Sequence, residues 1–326
     1  MKRPLAFIVP LFLLAAAWPA AAQAAALNVV ATTTLIADVA RSVGGGRVAV
    51  TALVPPEGDE HAWQPTPRDA ARVAGADLLL VNGAGLELFL GSLLENAGAA
   101  QPVVVSDGVA VLPARGARAG YLGLLGVDLA CDDHDEQEGR HSGAHAHETC
   151  DPHVWTDPAN VMIWADNIAA ALAAADPAGA DVYAANAAAY KAQLADLDAE
   201  IERILAAVPA ERRVLVTNHN FMAYFARRYG FDVAGVVLGE TTLAEAAPQQ
   251  IAALVEAIRA AGVPAIFTEM SAAAGLAQAV AAEAGDITVA ALYSGALSAP
   301  AGPAATYFDY MRYNAQTIAG ALAGGA

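Results

Sequence analysis

One amphipathic stripe limits what this chain can fold into. Tyr183, Tyr190, Leu194, Leu197, Ile201 and Ile204 recur at spacings of seven, four, three, four and three, with charged residues between them. Such spacings return to one side of a 3.6-residue helix. The stretch from Pro177 to Val208 would make a rod of about 45 Å at ~1.5 Å per residue. An ordinary core helix would show the same stripe, so the flanks decide its role. Before it, LNVVATTT, LIADVARSVGG, RVAVTALVP, ADLLLVNG, LELFLGSLLENAG and PVVVSD alternate β-rich and helix-like runs. After it, RRVLVTNH, FMAYFARRYG, FDVAGVVL, PQQIAALVEAIRAAG, PAIFTEM, AAGLAQAVAAEAG and ITVAALY repeat that rhythm, and a last helix begins near Ala304. This alternation predicts an α/β protein of two doubly wound lobes joined by one long rigid helix. The expected segments are a leader at 1–26, a first lobe at 27–176, the connector at 177–208 and a second lobe at 209–326. Ligands of such folds bind at the carboxyl ends of the strands, here in the cleft between the lobes.

The first 26 residues carry two basic residues, an apolar run from Leu5 to Ala17, Pro19 and then small residues that permit cleavage after Ala22 or up to four residues later. This is the pattern of a secretory signal peptide, and the run is shorter than the ~20 residues of a membrane-spanning helix. Neither cysteine lies near the cleavage region, which favours a free periplasmic protein over a lipoprotein. The formal net charge of -17 disfavours nucleic acid and anionic membranes as partners and suits a cation. Cys131 and Cys150, the only two cysteines, are expected to form a disulfide in an oxidising compartment, in preference to holding a metal.

Residues 113–150 break the α/β rhythm. They lack an apolar period and form an insertion rich in Gly, Ala, Asp and His. His134, His141, His145 and His147 lie in it, four of the seven histidines of the chain. A segment with so little apolar content does not preform a tetrahedral site, so weak and labile metal binding is its expected function. The other three histidines stand at strand ends or in turns: His61 in DEHAWQPTPRD, His153 in CDPHVWTDP and His219 in VLVTNHNF. Three neutral imidazoles placed in this way suit Zn²⁺. Metal capture needs them deprotonated, which predicts an affinity that falls as pH drops through about 6.5.

Four phrases, EHAWQPTPRD, DPHVWTDPANV, TNHNFMAYFARRYG and ALYSGALSAPAGPAATYFDYMRYN, resemble in order the zinc- and manganese-type (cluster A-I) substrate-binding proteins of ATP-binding cassette importers. The resemblance covers essentially the whole mature chain. It implies one metal ion in the interlobe cleft, little domain closure, and His61, His153 and His219 as ligands. Manganese-type members tend to carry a carboxylate where this chain has His219, so the third nitrogen favours zinc. Many members place an Asp in a Tyr-Ser-Asp turn where LYSGALS has Gly295. The fourth ligand is therefore open among Glu60, a water molecule and a residue from elsewhere, with Glu269 and Glu240 expected to make structural contacts.

The resemblance further implies that the His-rich insertion assists zinc acquisition, by raising the local metal concentration, accepting zinc from a periplasmic metallochaperone or sensing its availability, and that the partners are an inner-membrane permease and its ATPase. A monomer is expected. Manganese or iron uptake, and a metal-buffering chaperone or adhesin without an importer, are the competing functions. No HExxH, GxSxG or phosphate-loop signature accompanies the histidines, so the chain is not expected to be an enzyme.

Overall fold

The computed structural model describes residues 26–113 apart from 88, 90, 92 and 95–101; residues 150–236; residues 252, 255, 256, 258 and 259; and residues 262–323 apart from 272–274 and 286. The expected leader, apart from Ala26, lies outside them. So do Cys131, His134, His141, His145, His147 and Glu240.

The first lobe is built from β1 (Leu27–Ala31), α1 (Thr34–Gly44), β2 (Val48–Ala52), α2 (Pro67–Ala74), β3 (Leu78–Val81) and β4 (Val103–Val104). Its sheet is parallel throughout, in the order β2-β1-β3-β4. Val29, Val30 and Ala31 of the central strand are buried in succession, as expected of a strand covered on both faces. The second lobe contains β7 (Val214–Thr217), α5 (Ala223–Tyr229), β8 (Asp232–Val236), β9 (Ala265–Glu269), α6 (Gly275–Ala284) and β10 (Thr288–Leu292). Its order is β10-β9-β7-β8, again all parallel. Counted within each lobe, both sheets have the order 2-1-3-4. The repeated rhythm in the sequence is thus a repeated topology, and it brings the carboxyl ends of both central strands to one cleft.

Between the lobes lie a short antiparallel ribbon of β5 (Leu112–Pro113) and β6 (Cys150–Asp151), then α3 (Pro158–Ala175) and the connector α4 (Ala180–Leu205). The side chain of Asp157 accepts from the Ala159 N–H at the start of α3, with Pro158 as the first helical residue. The connector begins three residues later than the sequence suggests, because Pro177–Gly179 form a 3-10 turn. Its 26 residues span about 39 Å. Tyr183, Ala187, Tyr190, Leu194, Leu197, Ile201 and Leu205 line its buried side. Ile204 is only partly buried, since the four-residue step from Ile201 carries the stripe to Leu205.

The connector packs on α3, on α1 and on the last helix, α7 (Tyr307–Leu322). One apolar cluster runs from Val29 and Leu35 through Tyr183 and Leu194 to Phe267, Leu292 and Tyr307, so the lobes share a core. Arg228 on α5 adds a clamp by pairing with Asp198 of α4 and, at 3.4 Å, with Asp157 at the start of α3. Leu194 is fully buried midway along the rod. Leu194→Ala is expected to lower unfolding stability by about 2–5 kcal/mol, read from the denaturation midpoint at unchanged slope. Among the described residues no helix is long and apolar enough to cross a membrane.

Candidate metal centre

Each of the three sparse histidines is set by its own local structure. His61 lies between β2 and α2, where the Asp59 carboxylate accepts from the His61 N–H at 2.9 Å and the Ala62 N–H at 3.0 Å. That is the short-range turn chemistry of aspartate. Downstream, Thr66 and Asp69 form a capping box and Pro67 opens α2, which fixes where the loop ends. His153 follows β6. Asp151 accepts from its backbone N–H at 3.0 Å and from its ring Nδ1 at 2.8 Å. His219 follows β7, and its Nδ1 stands 2.9 Å from the Glu269 carboxylate at the end of β9. The Asn218 amide donates to that same carboxylate at 3.0 Å.

These arrangements aim three Nε2 atoms at one point. His61 Nε2 and His219 Nε2 lie 3.0 and 3.2 Å from His153 Nε2. Two nitrogens bound at 2.0–2.1 Å to one tetrahedral zinc ion would lie about 3.3 Å apart, so little movement separates this cluster from a ligand set. Asp151 holds the Nδ1–H of the His153 ring, which leaves its Nε2 lone pair free to face the cluster, and the Glu269 carboxylate stands beside the His219 Nδ1. Glu60 completes the group: one of its oxygens is 3.9 Å from His61 Nε2, and the donor atoms of Glu60, His61, His153 and His219 all lie within 4.8 Å of one another.

Burial sets the electrostatics. His153 and His219 are fully buried, and Glu60 is 1 % exposed. Burial, followed by the neighbouring imidazoles of His153 and His219, lowers the His61 ring to about 3. Burial and His219 likewise push His153 well below the usual imidazole range. The expected fall in affinity through pH 6.5 is therefore corrected for these two rings, which are neutral well below that pH. Desolvation raises Glu60 well above the carboxylate range, and the negative charge of Glu269 adds to the effect. Both Glu60 carboxylate oxygens lack a hydrogen-bond partner. A buried acid without a donor is unfavourable by itself, and a cation among the three imidazoles would supply the missing partner.

Around this group the lobes are stitched together. The Trp155 indole N–H donates to the Ser294 carbonyl at 2.9 Å, and the Glu57 N–H donates to the Leu297 carbonyl at 2.9 Å. The Tyr224 hydroxyl, from the second lobe, donates to the Asp151 carbonyl and accepts from the Leu112 N–H, both at 2.8 Å. It thereby pins the ribbon from which the His-rich insertion leaves and to which it returns.

The contacts of Glu269 and Asp151 were unequally visible in the sequence. Glu269 shows as a carboxylate at a strand end. The support of Asp151 for His153 was missed, although a carboxylate two residues before a histidine with proline between them is a usable signal. Asp151→Asn keeps the shape but weakens the acceptor at His153 Nδ1. It is expected to weaken metal binding by about 10- to 100-fold, measured by competition with a calibrated chelator.

Fold and site together define a class: a two-lobed α/β protein with a buried group of three histidines and one glutamate, able to hold a metal ion, at the carboxyl ends of its strands. The family model described as zinc-uptake complex component A, periplasmic, matches residues 29–321. The chain belongs to this family, the metal-binding substrate receptors of ATP-binding cassette importers. It is 32% identical over 292 residues to the iron-binding protein YfeA of Yersinia pestis, covering 90% of this chain and 85% of that one. It is 30% identical over 296 residues to the manganese-binding lipoprotein MntA of Halalkalibacterium halodurans, with 91% and 88% covered. Among solved structures, the periplasmic zinc binding protein TroA from Treponema pallidum superimposes with a TM-score of 0.75 at 28% identity, over 92% of this chain and 100% of that one. The Mn-bound periplasmic metal binding protein from Candidatus Liberibacter asiaticus gives 0.72 at 26% identity, over 91% and 99%. These likenesses agree with the α/β two-lobe architecture expected from the sequence.

Proposed function

We propose that this protein is the zinc receptor of an ATP-binding cassette importer, with His61, His153, His219 and Glu60 as the ligands. The observation that carries the proposal is the donor set: three convergent imidazole nitrogens and one unpartnered carboxylate, all buried. Zinc is well served by four such donors, whereas manganese prefers more oxygen and a higher coordination number. The ion is cargo, and no covalent chemistry is asked of the protein. A manganese or iron receptor is the competing function, and the names of the relatives leave it open, since they span iron, manganese and zinc. Competition between Zn²⁺ and Mn²⁺ for the purified chain separates the two, with zinc expected to bind more tightly by at least about 100-fold on the Irving–Williams order and donor type. Equal affinities, or a preference for Mn²⁺, would reject the zinc assignment.

The proposal extends to the parts outside the described residues. The segment at 1–26 directs export, and the mature protein is free in the periplasm and monomeric. A Cys131–Cys150 disulfide encloses His134, His141, His145 and His147 as a labile acquisition annex that accepts zinc from a periplasmic metallochaperone. In support, Cys150 lies on β6, one residue before the Asp151 that orients His153. Closing a loop of this length would stabilise the fold by roughly 3 kcal/mol in the chain-entropy model.

A further inference from the structure

Gly295 follows β10 in the second lobe and belongs to the turn whose Ser294 carbonyl accepts from Trp155. Its backbone is not in the left-handed region, so conformation does not call for glycine there. Space does. A Cβ on residue 295 would stand 1.9 Å from Glu60 Cδ, 2.1 Å from Oε1 and 2.3 Å from Oε2, and these are its three nearest atoms. No real pair of non-bonded atoms approaches so closely. In this structure the Glu60 carboxyl thus occupies the volume that a side chain at 295 would fill. That carboxyl is buried, its two oxygens have no hydrogen-bond partner, and it stands beside the three imidazoles in the space that residue 295 leaves empty.

We infer that Gly295 is a specificity-determining residue of the metal centre: it admits Glu60 as the single carboxylate donor and excludes a second donor from the opposite lobe. This rests on the proposal that the cluster holds zinc. The consequence is an uneven division of ligands, in which Glu60, His61 and His153 come from the first lobe and only His219 from the second. A side chain at 295 and the inward Glu60 are mutually exclusive. The two positions should behave as one unit although 235 residues separate them in the chain.

The test is a double-mutant cycle on the full mature chain with Gly295→Ala, Glu60→Ala and the combination, read as Zn²⁺ dissociation constants from chelator competition. The absorption spectrum of the Co²⁺-loaded protein and the melting temperature of the metal-free protein are recorded in parallel. Glu60→Ala and Gly295→Ala should each weaken zinc binding by about 10- to 100-fold and change the Co²⁺ spectrum in the same way. The double variant should be no weaker than Glu60→Ala alone, because the new Cβ then enters emptied space. If Gly295→Ala fails to fold while the double variant folds, the same conclusion holds. Wild-type affinity in Gly295→Ala, losses that multiply in the double variant, or failure of both to fold would overturn the inference. The underlying metal assignment is tested apart from it by His153→Ala. If that variant loses zinc while Glu60→Ala does not, the receptor stands and the role of Gly295 falls.

Discussion

Replacing His153 by alanine should weaken zinc binding by about two to three orders of magnitude, the largest effect expected of any single side chain in the protein. Zinc sites with four protein donors bind with ~10–16 kcal/mol, so one donor in four corresponds to roughly 2.5–4 kcal/mol. His153 exceeds its share for geometric reasons. It is the central ring of the group, with its Nε2 3.0 Å from that of His61 and 3.2 Å from that of His219. It is also fully buried, and Asp151 holds it through two hydrogen bonds. Alanine there leaves a polar hole that water fills poorly and a carboxylate that has lost one of its donors. His61→Ala and His219→Ala should follow closely. Each variant should also lose most of the rise in melting temperature that zinc gives the wild type, because a ligand stabilises the native state only in proportion to the logarithm of its concentration over Kd. Chelator competition supplies the affinities and differential scanning calorimetry the melting shifts. Undiminished tight binding in all three variants would remove the metal from this cleft. Deleting residues 132–149 offers the contrast: one tight site should remain, with any additional weak stoichiometry gone.

The histidines were legible in the sequence because each stands at a junction that local rules mark. A strand run ends before His219, an Asp-Pro turn precedes His153, and an aspartate turn followed by a capped helix brackets His61. The connector was legible for a similar reason, since its stripe is periodic over several turns. What local rules could not show is any relation that depends on two distant segments meeting. Gly295 looks like a missing ligand when read alone, and only the approach of Glu60 shows that a carboxyl fills the space a side chain there would need. The last helix is another case. Its N-terminal Tyr307 N–H donates to Asp38 on α1, and the helix packs on the connector, contacts that its sequence position after the second lobe does not announce. Acidity was misjudged from sequence for the same reason. An imidazole in a turn suggests an ordinary pKa, whereas burial in the folded protein lowers those of His61 and His153.

That burial leads to a second large effect, in the pH dependence. The His61 ring is held at about 3 and His153 well below its ordinary value, both chiefly by burial, while unfolded chains protonate their histidines near 6.5. Above pH 6.5 the folded and unfolded states bind equal numbers of protons at these rings, and their contribution to stability is at its full value. As pH falls from 6.5 towards 3, the unfolded state takes up protons that the folded state refuses. Metal-free stability should therefore fall with pH, with a limiting slope of ~1.4 kcal/mol per pH unit for each ring. Zinc affinity of the folded protein should behave differently. Because neither ring has a proton to lose, His61 and His153 should put no break in the affinity at 6.5 and should release no imidazole proton on binding. Glu60, whose carboxyl burial raises, should give up a proton to zinc. Calorimetric titration at pH 6 in two buffers of different ionisation enthalpy counts that proton directly. Glu60→Ala should release fewer protons than the wild type, whereas equal proton release in the two, with an affinity slope of two or more protons near 6.5, would show that the cluster is open to water before the metal arrives.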